Sequence, residues 1–300
     1  MSGPSPGECQ RGRLLKPLHT TSLRRRLSNW TALGLITLAA LIVTVPLFLI
    51  LGTVVFRGLG ALNWAFLTQI PKPIGEEGGG MGNAIVGSLL LLGFASLIGV
   101  PLGIGAGVFL AEYGRNKFGN VVRFTADALN GVPSVVIGMT AWALVVVPQK
   151  HFSLLAGSVA LGIMMIPVIS RTTEEVLLLV PQSIREAALG LGILKWRTIL
   201  SVVLRTASAG IVTSVMLAFA RIAGESAPLM FTAFGNEFWN MNPDQPVASL
   251  PLQIYKYAIQ PYEQAHAQAW TAALVLISMI MCTVILFRFI VGRGTIKGAS

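Results

Sequence analysis

The sequence predicts an all-α, polytopic membrane protein with six transmembrane helices. Composition is the first reason. Hydrophobic residues make up 54% of the chain and charged residues only 11%, whereas a soluble globular chain carries about 25% charged residues. Mean hydropathy is +0.72. Second, apolar runs recur that approach or exceed the roughly 20 residues a helix needs to cross the hydrocarbon. Third, Lys and Arg gather on alternate connecting segments, as they do in membrane proteins. The formal net charge of +10 could suggest a nucleic-acid binder. Its placement beside apolar spans argues for membrane lipid as the partner and against nucleic acid.

Residues 1–29 form a basic tail with Arg24, Arg25 and Arg26 in a row, read as a topological signal. The first span covers 30–56. It exceeds the roughly 7–15 residue core of a cleaved signal peptide and lacks a small-residue cleavage site, so it is expected to be a retained membrane span. Pro46 is a potential kink within it. A Gly- and Pro-rich loop (57–83) leads to the second span, 84–111. There Gly99, Gly103 and Gly107 share one helix face, where a neighbouring helix can approach closely. Pro101 suggests a kink between them.

A polar segment (112–127) precedes the third span, 128–148, and a short turn (149–152) precedes the fourth, 153–170, which ends at Arg171. A polar island follows. The fifth span is 199–220 and the sixth 268–290. In the loop between them, Leu250, Ile254 and Tyr257 fall near one face of a short interfacial helix. With the N-terminus inside, seventeen Lys and Arg lie inside and four outside, which puts both termini in the cytoplasm. The expected domains are the tail 1–29, a transmembrane domain 30–292 that includes a cytoplasmic loop 172–198, and a C-terminal tail 293–300. The glycine-rich second to fifth spans are expected to form the packed core.

No catalytic set stands out. There is no GxxxxGK[ST] phosphate loop, the three histidines are scattered, and no paired-carboxylate or Ser/His/Asp arrangement is visible. Cys9 and Cys282 have no metal-ligand neighbours. Catalytic and metal sites are therefore expected to be absent, which argues against a membrane-embedded enzyme. A stand-alone transporter or channel often shows matched broken helices or inverted repeats, and none is apparent.

The island is more informative. Ser183 and Glu186 have the S-x-x-E form of a capping box, predicting a helix start at Ser183. Gly190 and Gly192 end that helix, and LKWRT restarts one that runs into the fifth span. Two readings stand. The element docks into a partner, or it lies in the headgroups with Trp196 as anchor and Lys195 and Arg197 on lipid.

EAALGLG (186–192) resembles the EAA loop of ABC-importer permeases. Glu186, Ala187, Ala188 and Gly192 match the pattern, while Arg205 stands where the family has proline. IGVPLGIGAGVFLAEYG (98–114), NGVPSVVIGM (130–139), ARIAGESAPLMFTA (220–233) and SLPLQIYKYA (249–258) are similar to the phosphate-importer branch, from about residue 83 to the C-terminus. The resemblance implies a type I importer architecture in a bacterial inner membrane. It implies that Glu186, Ala187, Ala188, Gly192 and Trp196 couple to a separate ATPase. It also implies a homologous permease (PstC-like), two ATPase copies (PstB-like) and an external phosphate-binding protein (PstS-like). ATP and Mg would bind the ATPase, with no cofactor in this chain. A permease for another oxyanion, such as molybdate or sulfate, is the alternative.

Charge at membrane depth asks for a reason, since insertion scales set its cost at about 2.5–3.5 kcal/mol per residue. Arg221 and Glu225 are four apart, on one face of the expected fifth span. They either face the anion, whose oxygens suit a guanidinium fork, or pair to fasten the helix. Arg171 and Glu174 either snorkel and set topology, or form a gate pair. Ser226, Thr232, Thr140, Asn130 and Ser134 are neutral hydrogen-bonding candidates.

Overall fold

The computed structural model describes residues 23–73, 76 and 78–296. Most of the basic tail (1–22) and the end of the C-terminal tail (297–300) lie outside the described residues. Two units are distinguished, Met1–Thr53 and Val54–Ser300. Helix α1, Leu23–Gly58, begins in the first and runs on through Pro46 without interruption. Its residues 25–53 are exposed throughout.

In the second unit, α2 (Trp64–Thr68) is capped by Asn63, whose Oδ1 accepts from the Phe66 amide at 2.7 Å. Helix α3, Gly82–Glu112, continues through Pro101. Here the third span departs from expectation. The polar segment after α3 is itself mostly helix, α4 (Lys117–Gly131), capped by Asn116 onto the Gly119 amide. A second helix, α5 (Ser134–Gln149), meets α4 at 106°. Pro133 explains the break, because it disfavours helical backbone in the residue before it and cannot donate to the ladder.

The fourth span is longer than predicted. Helix α6 runs Leu154–Leu178, so Arg171 lies inside it rather than at its end. Ser153 caps it, accepting from the Ala156 amide at 3.1 Å. The island holds α7 (Gln182–Gly190). The fifth span is bent: α8 (Lys195–Thr206) and α9 (Ser208–Ala223) meet at 72°. A π-helical stretch at Ile199–Val203 precedes the bend. Short α10 (Ala227–Thr232), α11 (Leu250–Ala258) and long α12 (Glu263–Ile296) complete the chain. Among the described residues four helices are long and apolar enough to cross a membrane, or up to six spans if each bent pair counts as one. Among the described residues there is no strand.

Packing follows the small residues. Cβ atoms built on Gly99, Gly103 and Gly107 would lie 2.7, 2.7 and 2.6 Å from the Cβ atoms of Met165, Ile169 and Thr173 on α6. The predicted glycine face is thus the contact that lets α3 lie against α6. Around it, Leu91 and Ala95 (α3), Ile137 (α5), Leu161 and Met165 (α6), Ala218 and Ile222 (α9) and Leu229 (α10) form the main core. A second cluster gathers Phe66, Met81, Ala84, Leu250, Ala272 and Leu276 at the start of α3. The expected short helix is there, with Leu250 fully buried against this cluster. A third cluster, at the other end of α3, joins Ala111, Leu177, Val180, Val203, Ala207 and Ile211. It underlies the island.

Candidate functional site

Helix α7 is set off from the bundle by defined stops at both ends. Its N-cap is Pro181, with φ −58° and ψ 141°, and no side chain caps it. The predicted capping box is therefore corrected: Ser183 and Glu186 lie inside the helix. Pro181 supplies the start instead, because its ring pre-sets φ and puts no demand on a donor. At the other end Gly192 takes φ +77°. Its amide donates to Leu189 O at 2.9 Å and the Ile193 amide to Ala188 O at 3.2 Å, the paired bonds of a Schellman stop. That geometry favours glycine at 192, as the motif has it.

The two faces of α7 differ in kind. Glu186 and Ala187 are exposed, Ala188 is buried, and Trp196 on α8 is half exposed with the Arg197 guanidinium 5.1 Å from its ring. Leu191 and Leu194 are also exposed. On the inner side Arg185 reaches the last turn of α3. Its Nε and Nη2 donate to Glu112 Oε1 at 3.0 and 2.8 Å. A cleft of about 300 Å³ separates α7 from the ends of α3 and α8, lined by Glu112, Arg115, Arg185, Glu186 and Lys195 among others.

Higher in the bundle, Arg171 and Glu174 join two residues from α4. Glu174, with its side chain only 4% exposed, takes Arg123 Nε on Oε1 and Arg171 Nη1 on Oε2, both at 2.6 Å. Arg171 Nε also meets Asp127 Oδ1 at 2.8 Å. Arg123 also donates to Gly114 O and Asn120 Oδ1 from Nη1 and to Leu110 O from Nη2. Two acids and two bases thus join α4 to α6 and cap the end of α3. Arg171 does not run alone to a headgroup.

Arg221 and Glu225 are not brought together. Helix α9 ends at Ala223, so the two do not share a helix face, and no ion pair joins them. The Glu225 amide closes a turn onto Ile222 O at 3.1 Å. Arg221, in the last turn of α9, is exposed. Ser226 precedes α10 without a side-chain cap bond. Thr140 and Thr232 donate to carbonyls one turn back, the usual use of such residues in membrane helices. Asn130 Oδ1 is buried without a partner among the described residues.

Four residues that sequence reasoning passed over matter here: Arg123, Asp127, Glu112 and Arg185. Arg123 and Asp127 are spaced four apart on α4, a pairing signal that could have been noticed. Glu112 and Arg185 are 73 positions apart, and no local pattern links them.

Residues 99–294 match the family described as binding-protein-dependent transport system inner membrane components. The chain is 42% identical to the phosphate transport system permease protein PstA of Yersinia pestis, over 90% of this chain and 92% of that protein. It is 45% identical to that of Xylella fastidiosa (strain 9a5c), over 86% and 90%, and 38% identical to that of Mycobacterium leprae, over 89% and 88%. Among solved structures it is similar to a chain of the MetNI methionine ABC transporter in an inward-facing form. The TM-score is 0.56 at 20% identity, covering 73% of this chain and 98% of that one. That likeness concerns the fold.

Proposed function

Since the chain belongs to the family of binding-protein-dependent transport system inner membrane components, we propose that it serves an ATP-driven importer of inorganic phosphate as one of its membrane-spanning subunits. It is a permease, and ATP hydrolysis belongs to a partner. The observation that carries this reading is α7, a helix with stops at both ends that presents Glu186 and Ala187 outward while Arg185 holds it from within. A loop resting in lipid headgroups has no need of an inward ion pair or a Schellman stop. In this reading Glu186, Ala187, Gly192 and Trp196 form the surface an ATPase dimer docks on, and Ala188 packs beneath it. ATP and Mg²⁺ bind that dimer, a homologous permease completes the pathway, and an external binding protein delivers phosphate. The Lys and Arg distribution supports cytoplasmic termini.

For the anion itself, exposed and unpaired Arg221 is the best candidate, with Glu225 and Ser226 following it just past the end of α9. A guanidinium without an internal counter-ion is free to offer its planar fork to phosphate oxygens. Arg171 and Glu174, already engaged with Arg123 and Asp127, suit a gate better than a binding site. The test is radiolabelled phosphate uptake in vesicles, with copurification of the partner subunits. Arg221→Gln abolishes uptake and leaves the complex assembled. Uptake at the wild-type rate would remove Arg221 from the pathway.

A further inference from the structure

Arg185 stands immediately before the docking residues, yet its side chain is directed away from them. Its side chain is 11% exposed and that of Glu112 7%. The guanidinium donates twice to Glu112 Oε1, at 3.0 and 2.8 Å, and also to Leu177 O at 2.9 Å and to Val180 O. One planar group therefore joins three elements: α7, the last turn of α6 and the last turn of α3. Lys195, at the start of α8, adds a bond to Glu112 O at 3.2 Å and lies 4.3 Å from the Tyr113 ring. The end of α3 is thus held from both sides of the stop at Gly192.

What α3 does with that hold follows from its packing. Its glycine face lies directly against α6, and its far end is built into the cluster around Phe66, Met81 and Leu250. A displacement of α7 borne by a rigid fork reaches the length of the bundle through α3. We propose that Arg185 and Glu112 are positioning residues for transport: they form a strut that hands movement of the docking helix to α3. The proposal rests on the reading of α7 as the ATPase-docking element. The fork is essential to it, because arginine can satisfy a carboxylate and two carbonyls from one plane, whereas the point charge of lysine cannot.

The experiment uses the assembled complex with Arg185→Gln, Glu112→Gln, the double variant and Arg185→Lys. Two readouts are taken from each preparation. One is phosphate uptake. The other needs no transported ion: amide hydrogen exchange over residues 108–113, with and without ATP and vanadate. The ATPase copurifies with every variant. Uptake falls about tenfold in each single variant, the scale of a strong coupling between sites. The double variant falls no further, because both changes cut one link, and Arg185→Lys lies between wild type and Arg185→Gln. The nucleotide-dependent change in exchange seen in wild type is lost in Arg185→Gln. Retained uptake with a retained exchange response overturns the strut. So do additive losses in the double variant, or loss of the ATPase, which would make the pair an assembly contact. Should the wild-type complex fail to import phosphate, the substrate assignment falls, and the exchange arm still decides the strut.

Discussion

Glu174 accepts two guanidinium groups at 2.6 Å with a side chain only 4% exposed. Taking a carboxylate out of water is costly, and two close cations with direct hydrogen bonds are the compensation that makes it tolerable. Glu174→Gln removes the charge and leaves both arginines facing a neutral amide. Breaking a buried pair from one side costs about 3–5 kcal/mol. The lower end applies here, because Arg171 keeps Asp127 and Arg123 keeps two carbonyls. The expected outcome is a clear drop in the thermal unfolding midpoint of the purified complex in detergent. Arg221→Gln, at an exposed position, leaves that midpoint unchanged. An unchanged midpoint for Glu174→Gln would show that the network contributes nothing to stability.

At the level of elements, the α3–α6 contact decides the core. In lipid the apolar effect does not drive helices together, so close packing must. A Cβ added at Gly103 would lie 2.7 Å from the Ile169 Cβ, while one at Gly105, on another face of the same helix, would meet nothing within 4 Å. Gly103→Leu is therefore expected to force the helices apart, at a cost at or above the roughly 1–3 kcal/mol typical of overpacking. Gly105→Ala is neutral or stabilises by about 0.5–1 kcal/mol. Monodispersity on size-exclusion chromatography and yield of folded protein report both. Equal behaviour of the two variants would refute the packing account. The bend at Ala207 belongs to this scale too. Arg205 stands where the resemblance to the EAA loop leads one to expect proline, yet α8 and α9 still meet at 72°. The π-helical stretch at Ile199–Val203 comes just before the break, and such a stretch disturbs the regular ladder as proline does.

For the whole molecule, orientation follows from the distribution of basic residues. Seventeen basic residues against four predict that α7 lies in the cytoplasm and the loop around Asn242 outside. In a background with both native cysteines replaced by serine, cysteine at Asn242 should react with a membrane-impermeant maleimide on intact cells. Cysteine at Leu191, 81% exposed, should react only after permeabilisation. The reverse pattern would invert the topology and dismiss α7 as an ATPase-docking surface.

The sequence by itself determined the all-α membrane class of the molecule and the place of the helix that ends at the Gly192 stop. These depend on local quantities: runs of hydrophobicity, glycine spacing, and the EAA pattern with its glycine at a positive-φ stop. It misjudged the breaks at Val132–Pro133 and Ala207, and it took α6 to end at Arg171. Hydropathy marks where a charge lies, not whether the helix continues past it. Tertiary structure alone decided which charges meet. Arg171 and Glu174 acquire Arg123 and Asp127 from α4, Arg221 and Glu225 separate because α9 stops at Ala223, and Arg185 finds Glu112 across 73 positions. Ion pairs are contacts in space, and the fold that brings them together is set by the packing of helices such as α3 on α6, where Gly107 lies against Thr173 next to Glu174.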